Sequence, residues 1–377
     1  MAGKEIMTSK QRLLTILSHQ LPDRMPIDFG GFHAGIHIKV YTELIDFLGI
    51  KDDPRILDPI QQLAETCEEL LQRFHADIRY IFPSEFLKYN GQGGFEDEFG
   101  ATWAIQDEKH HYMGISKHPL EDAAAADIEN YPFANGGEKN RFTGIREKAV
   151  EISNNGFYAL STDIGGSIFE TCCNLRGVQK WFIDTIENPS FCEALMDKIL
   201  QYWFDYYTEF LSEIGDIVDI VIIGDDLAGQ NGPLFSLDFY RNFLKPRHRK
   251  LINHIKSLSP ARICYHTCGS CFDFIGELID IGVDVLNPVQ TGLKNMEPQK
   301  IKGTFGKQIS LWGGALEARQ SLAFSTPEQI SEYVRRNLEI FKPAAGYIFS
   351  STHNIQFDVP SENIVALFDA AYEFGFY

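Results

Sequence analysis

The chain has 377 residues, 44% of them hydrophobic and 13% aromatic, with a formal net charge of −18. That is enough material for one large core or two ordinary ones. The negative field repels phosphate, which argues against nucleic acid or an anionic membrane as a general partner; its plainest reading is solubility.

Residues 9–20 have the apolar period of an amphipathic helix, with Ser9 as its cap and Leu21-Pro22-Asp23 as its stop. Pro26-Ile27-Asp28-Phe29-Gly30-Gly31 reads as a short strand entering a glycine turn, and residues 36–50 and 59–75 are helical in period. Ala76 to Pro83 reads as a strand. From 84 to about 135 the pattern is irregular, and Asp97-Glu98-Phe99-Gly100 before Ala101-Thr102-Trp103 marks a hairpin-bearing insertion.

Beyond Arg141 the pattern becomes regular. Helix 141–154 leads to strand 157–163; helices 175–187 and 189–214 lead to strand 217–224; helix 237–258 leads to strand 261–266. Helix 271–281 precedes strand 283–287, a helix near 296–302 precedes 308–312, helix 326–341 precedes 346–350, and a last helix covers 361–374. Alternating helices and strands imply a parallel sheet. With the strands near 27 and 77 there are about eight, the number of a closed (β/α)₈ TIM barrel. A doubly wound open sheet is the competitor. The barrel is preferred because polar residues recur at successive strand ends: Asp163, Asp225 and Asp226, His266 and Cys268, Asn287 and Gln290, then His353. A barrel gathers these ends at one mouth. The whole of 1–377 is therefore expected to form one barrel domain with an N-terminal helical extension.

No run of about 18 apolar residues appears, so no membrane span is expected. Met1 to Lys10 carry lysines with no apolar stretch behind them, so a signal peptide is not expected and a cytoplasmic location is. The seven cysteines then read as free thiols, with Cys67, Cys192 and Cys264 in apolar-periodic segments as inert core residues.

Chemistry concentrates in Tyr265-His266-Thr267-Cys268-Gly269-Ser270-Cys271, where an imidazole and a thiol stand two residues apart at a strand end. Such a pair suits zinc, but two ligands do not hold it firmly, and the third must come from elsewhere. Cys271 and His353 are both candidates. The plainer reading is a hydrogen-bonded histidine beside a buried thiol. Asp225 and Asp226 could act as acid or base or support a metal ligand, although neighbouring strand residues point opposite ways, so one is expected to enter the mouth. Asp163 precedes Gly165-Gly166, a pattern that fits close backbone approach to a ligand or an ordinary turn. Trp312-Gly313-Gly314 fits an apolar wall or simple barrel packing. Arg176, Lys245 and Arg247 fit a carboxylate substrate less well than a solvated helix face.

His19 to Gly31, Asp97 to Gly100, Ile223 to Pro233, His266-Thr267-Cys268-Gly269-Ser270, Gly282 to Gln290, Trp312-Gly313-Gly314 and His353-Asn354-Ile355-Gln356 form a recognisable set. With them the chain resembles the uroporphyrinogen decarboxylase superfamily over nearly its whole length, in particular the methyltransferase-like branch of the methylcobamide:coenzyme M type. The resemblance implies a (β/α)₈ barrel with its site at the C-terminal mouth. It implies zinc held by a His-x-Cys pair, matched by His266 and Cys268, and by a later residue, a Cys in that branch and His353 here. Asp225, Asp226 and Asp163 are then the expected catalytic or pocket carboxylates, and Asn287, Gln290 and Trp312 the expected substrate contacts. The implied reaction moves a methyl group between a corrinoid (cobalamin), supplied by a partner protein, and a small-molecule donor or thiol acceptor. The arginine-rich N-terminal signature of true uroporphyrinogen decarboxylases is replaced by Met25-Pro26-Ile27-Asp28-Phe29. Metal-free decarboxylation of a polycarboxylate is therefore the alternative, and tetrapyrrole or corrinoid binding without turnover a third reading. Monomer and homodimer are both compatible with the acidic surface.

Overall fold

The N-terminal helix shows how the chain builds its base. In the computed structural model, helix α1 (Ser9–Leu17) is capped by Thr8, whose side chain accepts from Gln11 N while the Gln11 side chain accepts from Thr8 N. The cap is thus Thr8 and not Ser9, because only Thr8 has Gln three residues ahead of it for the reciprocal bond. Leu13, Ile16 and Leu17 of α1 are buried in one cluster with Ile78, Ile220, Ile222, Cys264, Val285 and Ile348. These are interior residues of the barrel strands, so α1 plugs the barrel floor. Burying a Leu or Ile fully stabilises by about 1.5–3 kcal/mol.

The structure describes residues 4–377 except 92, 107–108, 110–111, 315 and 317–321. The barrel strands are β1 (Ile78–Ile81), β2 (Ala159–Thr162), β3 (Ile220–Gly224), β4 (Arg262–His266), β5 (Val285–Asn287), β6 (Ser310–Trp312) and β7 (Tyr347–Ile348). They form a parallel sheet in sequence order. The segment around Ile27 closes it. Ile27 bridges Phe349 in parallel, Asp28 N donates to Phe349 O at 2.8 Å, and Asp77 N donates to Ile27 O at 2.7 Å. The first extended segment thus lies between the first and last strands of the sheet, as a TIM-like barrel requires.

Around the barrel lie α2 (Phe169–Arg176), α3 (Pro189–Ile214), α4 (Lys245–Leu258), α5 (Phe272–Asp280), α6 (Pro327–Phe341) and α7 (Ser361–Gly375). The insertion forms a four-stranded antiparallel sheet within 88–117, as the turn signals predict. Residues 59–75 depart from the expected helix: only Glu68–Arg73 is helical. Asp58 takes the backbone N–H groups of Ile60 and Gln61 at 2.8 and 3.2 Å, and Gln62 adopts φ +57°. That local turn, followed by the pairing of Leu63 with Asp58, displaces the first helical turns.

No helix among the described residues is long and apolar enough to cross a membrane. All seven cysteines are free, with Cys192 and Cys264 buried and Cys67 half-buried.

Candidate active site

The register of the parallel sheet places the key histidine. His266 ends β4 opposite Asn287 on β5 and Gly224 on β3. Its Nδ1 lies 2.7 Å from Asn287 Oδ1, so the ring N–H is spent there and Nε2 keeps a free lone pair. Nε2 lies 3.5 Å from Cys268 Sγ. The glycine at 224 makes room: a Cβ there would stand 2.5 Å from His266 O and 2.9 Å from His266 Cβ. Burial first, then the neighbouring His33, pushes the His266 pKa down to about 3. The ring is therefore neutral at physiological pH, the form that binds a metal.

Asp226 completes a compact group with this pair. Ligand atoms of Asp226, His266 and Cys268 all lie within 4.8 Å of one another. The Asp226 carboxylate accepts from Cys268 N at 2.7 Å, which ties the end of β3 to the loop after β4. Behind it, Glu170 of α2 accepts from Asp226 N at 3.2 Å. Burial, then the charges of Asp226 and Asp225, push Glu170 up to about 8. Burial likewise raises the Asp226 carboxyl, and burial with Asp226 and Glu170 raises the Cys268 thiol. Three acidic groups thus crowd one another with no cation between them among the described residues.

A nitrogen, a sulfur and a carboxylate oxygen at this spacing fit zinc, whose bonds to such ligands are about 2.0–2.3 Å long. This differs from the expected ligand set. His353 lines the adjoining cavity with His266 but stands outside the compact group. Cys271 is buried at the start of α5 and is outside it too. The third donor of the compact group is Asp226, because the β3 end and the β4 loop are neighbours, whereas His353 follows β7 and lines the cavity from there.

The remaining predicted residues divide. Asp225 is fully buried and faces away from the mouth. It accepts from Ser167 Oγ at 2.7 Å and from the backbone N–H groups of Ile168, Phe169 and Glu170 at 2.9–3.0 Å, and it lies 3.0 Å from His248 Nε2. It caps α2 from another strand, and Asp226 is the member of the pair that lies beside His266 and Cys268. Asp163 lines the cavity, as expected, and accepts from Phe32 N at 2.7 Å. Gly165 and Gly166 both make room for packing, since a Cβ would meet Tyr207 Oη at 2.7 Å or Ile223 at 2.9 Å, and Gly165 also lines the cavity. Trp312 is wholly buried and donates to Asp28 Oδ2 at 3.1 Å; it braces the barrel interior. Gln290 accepts from Gly269 N at 2.7 Å and shapes the cysteine loop. Neither Trp312 nor Gln290 lines the cavity, and Asn287 acts by holding His266. Arg176 is buried on Asp184 at 2.7 Å, neither a solvated face nor a substrate contact.

Two participants escaped the sequence reading. His33 is buried in the cavity wall, its ring centroid 6.2 Å from that of His266 and 5.1 Å from that of Trp312. Its burial opposes protonation, but Asp163 and Asp28 outweigh it and raise the pKa to about 9. Glu170 is the other. The cavity itself measures about 670 Å³ and is walled by insertion residues as well as barrel loops.

A barrel with a histidine, a cysteine and a carboxylate converging beside a large cavity at the strand C-termini defines a TIM-barrel enzyme by architecture. A family model for uroporphyrinogen decarboxylase (URO-D) matches residues 148–374, more than half of the chain, which therefore belongs to that enzyme family. A uroporphyrinogen decarboxylase of Ruthia magnifica subsp. Calyptogena magnifica is 27% identical over 192 residues, covering 50% of this chain and 51% of the relative. The match thus spans about half the length of that curated relative. Among solved structures, a methyltransferase from Methanosarcina mazei superposes with a TM-score of 0.67 at 20% identity, covering 98% of this chain and 99% of its own. That similarity establishes a shared fold.

Proposed function

We propose that the chain is a zinc-dependent methyltransferase that moves a methyl group between a corrinoid carried by a separate protein and a small-molecule donor or thiol acceptor. The observation that carries this reading is the compact group of Asp226, His266 and Cys268 with the His266 tautomer fixed by Asn287. Zinc held there by three protein ligands would supply Lewis acidity at an open fourth position, stabilising a thiolate or polarising the atom that bears the methyl group.

The chain's own residues do the rest. Asn287 orients the imidazole, and Glu170 and Cys268 N fix the Asp226 loop. His266 also faces the cavity, so a substrate filling that space would present its reacting end to the donor group. The fold shared with the Methanosarcina methyltransferase supports the reading. The decarboxylase alternative has the support of the family, but a polycarboxylate would meet five carboxylates on the cavity wall, Asp58, Glu85, Asp97, Glu98 and Asp163, against two cations, the Arg141 guanidinium and the His33 imidazolium.

Elemental mass spectrometry of the purified protein tests the proposal. About one zinc per chain, lost in Cys268→Ala, together with demethylation of free methylcobalamin by a thiol, is the expected result. A protein that stays metal-free after reconstitution with zinc would sink it.

A further inference from the structure

The cavity beside His266 has a chemical character that the metal group does not explain. One wall is aromatic: Trp203 and Tyr206 meet at 5.2 Å between ring centroids, nearly edge to face. Across this wall lies Arg141, its guanidinium carbon 4.7 Å from the Phe86 centroid and 5.6 Å from that of Tyr206. The wall thus already accommodates a cation over its ring faces. The charge of Arg141 is answered by Glu98.

Two other carboxylates on the wall form no ion pair among the described residues. Asp58 is buried and accepts the backbone N–H groups of Ile60 and Gln61, and Glu85 lines the cavity without a hydrogen bond or ion pair among the described residues. Of the buried nitrogens on the same wall, His33 Nδ1 lies 3.8 Å from Asp163 Oδ1 and Arg141 Nε has no hydrogen-bond partner among the described residues.

We propose that this cavity binds a methylated ammonium cation, its charged nitrogen seated between the rings of Trp203 and Tyr206 and the carboxylates of Asp58 and Glu85. The proposal rests on the methyltransferase reading for its meaning, since such a ligand brings a methyl group on nitrogen to the side of the cavity that His266 lines. Quaternary ammonium groups cannot donate hydrogen bonds. They are recognised by ring faces and by nearby negative charge, and both are present here.

Isothermal titration of the full chain with choline, and with its uncharged isostere in which carbon replaces the quaternary nitrogen, decides the matter. The two probes share shape and differ in charge. Choline is expected to bind at least about tenfold more tightly than the isostere, and to lose about tenfold in the Glu85→Gln, Asp58→Asn double variant. A Trp203→Leu variant should weaken choline selectively. Equal binding of the two probes, no saturable binding of choline, or choline binding unaffected by the double variant would overturn the proposal. Binding needs no zinc or corrinoid, so the two readings fail separately. Selective choline binding by a chain that transfers no methyl group would sink the methyltransferase and leave the ammonium site standing. Methyl transfer without such binding would do the reverse.

Discussion

His266 and Asn287 are register partners on adjacent parallel strands, and their side chains meet at 2.7 Å through the imidazole Nδ1. One hydrogen bond therefore decides which ring nitrogen is free. Replacing Asn287 by Leu keeps the volume roughly and removes the acceptor. The fold should survive, while zinc affinity, measured by competition with a chromogenic chelator, should fall by about 10–100-fold. Unchanged affinity would mean that the pairing does not orient a ligand.

The third donor can be tested against its rival directly. Asp226→Asn is predicted to release the metal, whereas His353→Ala should retain it while altering turnover, because His353 lines the cavity and lies outside the compact group. Metal content of the two variants after identical dialysis gives the answer, and the opposite pattern would restore the histidine as ligand.

Asp225 carries a structural load. Its carboxylate accepts three backbone N–H groups at the start of α2 and the Ser167 hydroxyl, and it lies beside His248. Asp225→Ala would leave those buried donors unpaired and should cost about 3–5 kcal/mol in urea denaturation. A loss of activity with unchanged stability would instead return this residue to the chemistry.

Asp58 gives a pH signature. Burial, the leading cause, raises its pKa from 3.8 to about 6 in the folded chain. The folded state then holds its proton over that interval while the unfolded state has released it. This group's contribution to stability is complete below pH 3.8 and declines as pH rises through about 6. Asp58→Asn removes the charge and keeps an acceptor for Ile60 N at the cost of the longer bond from Gln61 N, which goes to the second carboxylate oxygen, so the variant should be less stable than the parent near pH 4, regain ground as pH rises through about 6, and flatten that part of the profile. Thermal melts across pH 4–8 would expose a wrong sign.

The regular half of the chain was legible because its helices and strands alternate with clear periods. The expected strands at 157–163, 217–224, 261–266 and 346–350 all contain observed ones. His266 and Cys268 were legible because two uncommon ligand types stand at a strand end. Which carboxylate joins them was not, because Asp225 and Asp226 differ only in the face to which each points, and the twist at the end of β3 sets that. Asp226 was marked as an acid or base, and its place beside the sulfur comes from the cysteine loop folding back onto β3. His33 was missed because it follows a glycine turn with no local signal; its meaning comes from Asp28 and Asp163, brought close by barrel closure. The 59–75 segment failed for a local reason, since one aspartate side chain redirected the backbone.

Barrel closure depends on Ile27, which meets Phe349 on one side and Asp77 on the other. During synthesis the segment around Ile27 emerges early but finds one of its two neighbours only after nearly every other strand has left the ribosome. Until then the nascent barrel has an open flank whose backbone groups can pair with another chain. The seam is therefore the point at which a chaperone would act, and a circular permutation that fuses the segment behind Phe349 would shorten that exposure.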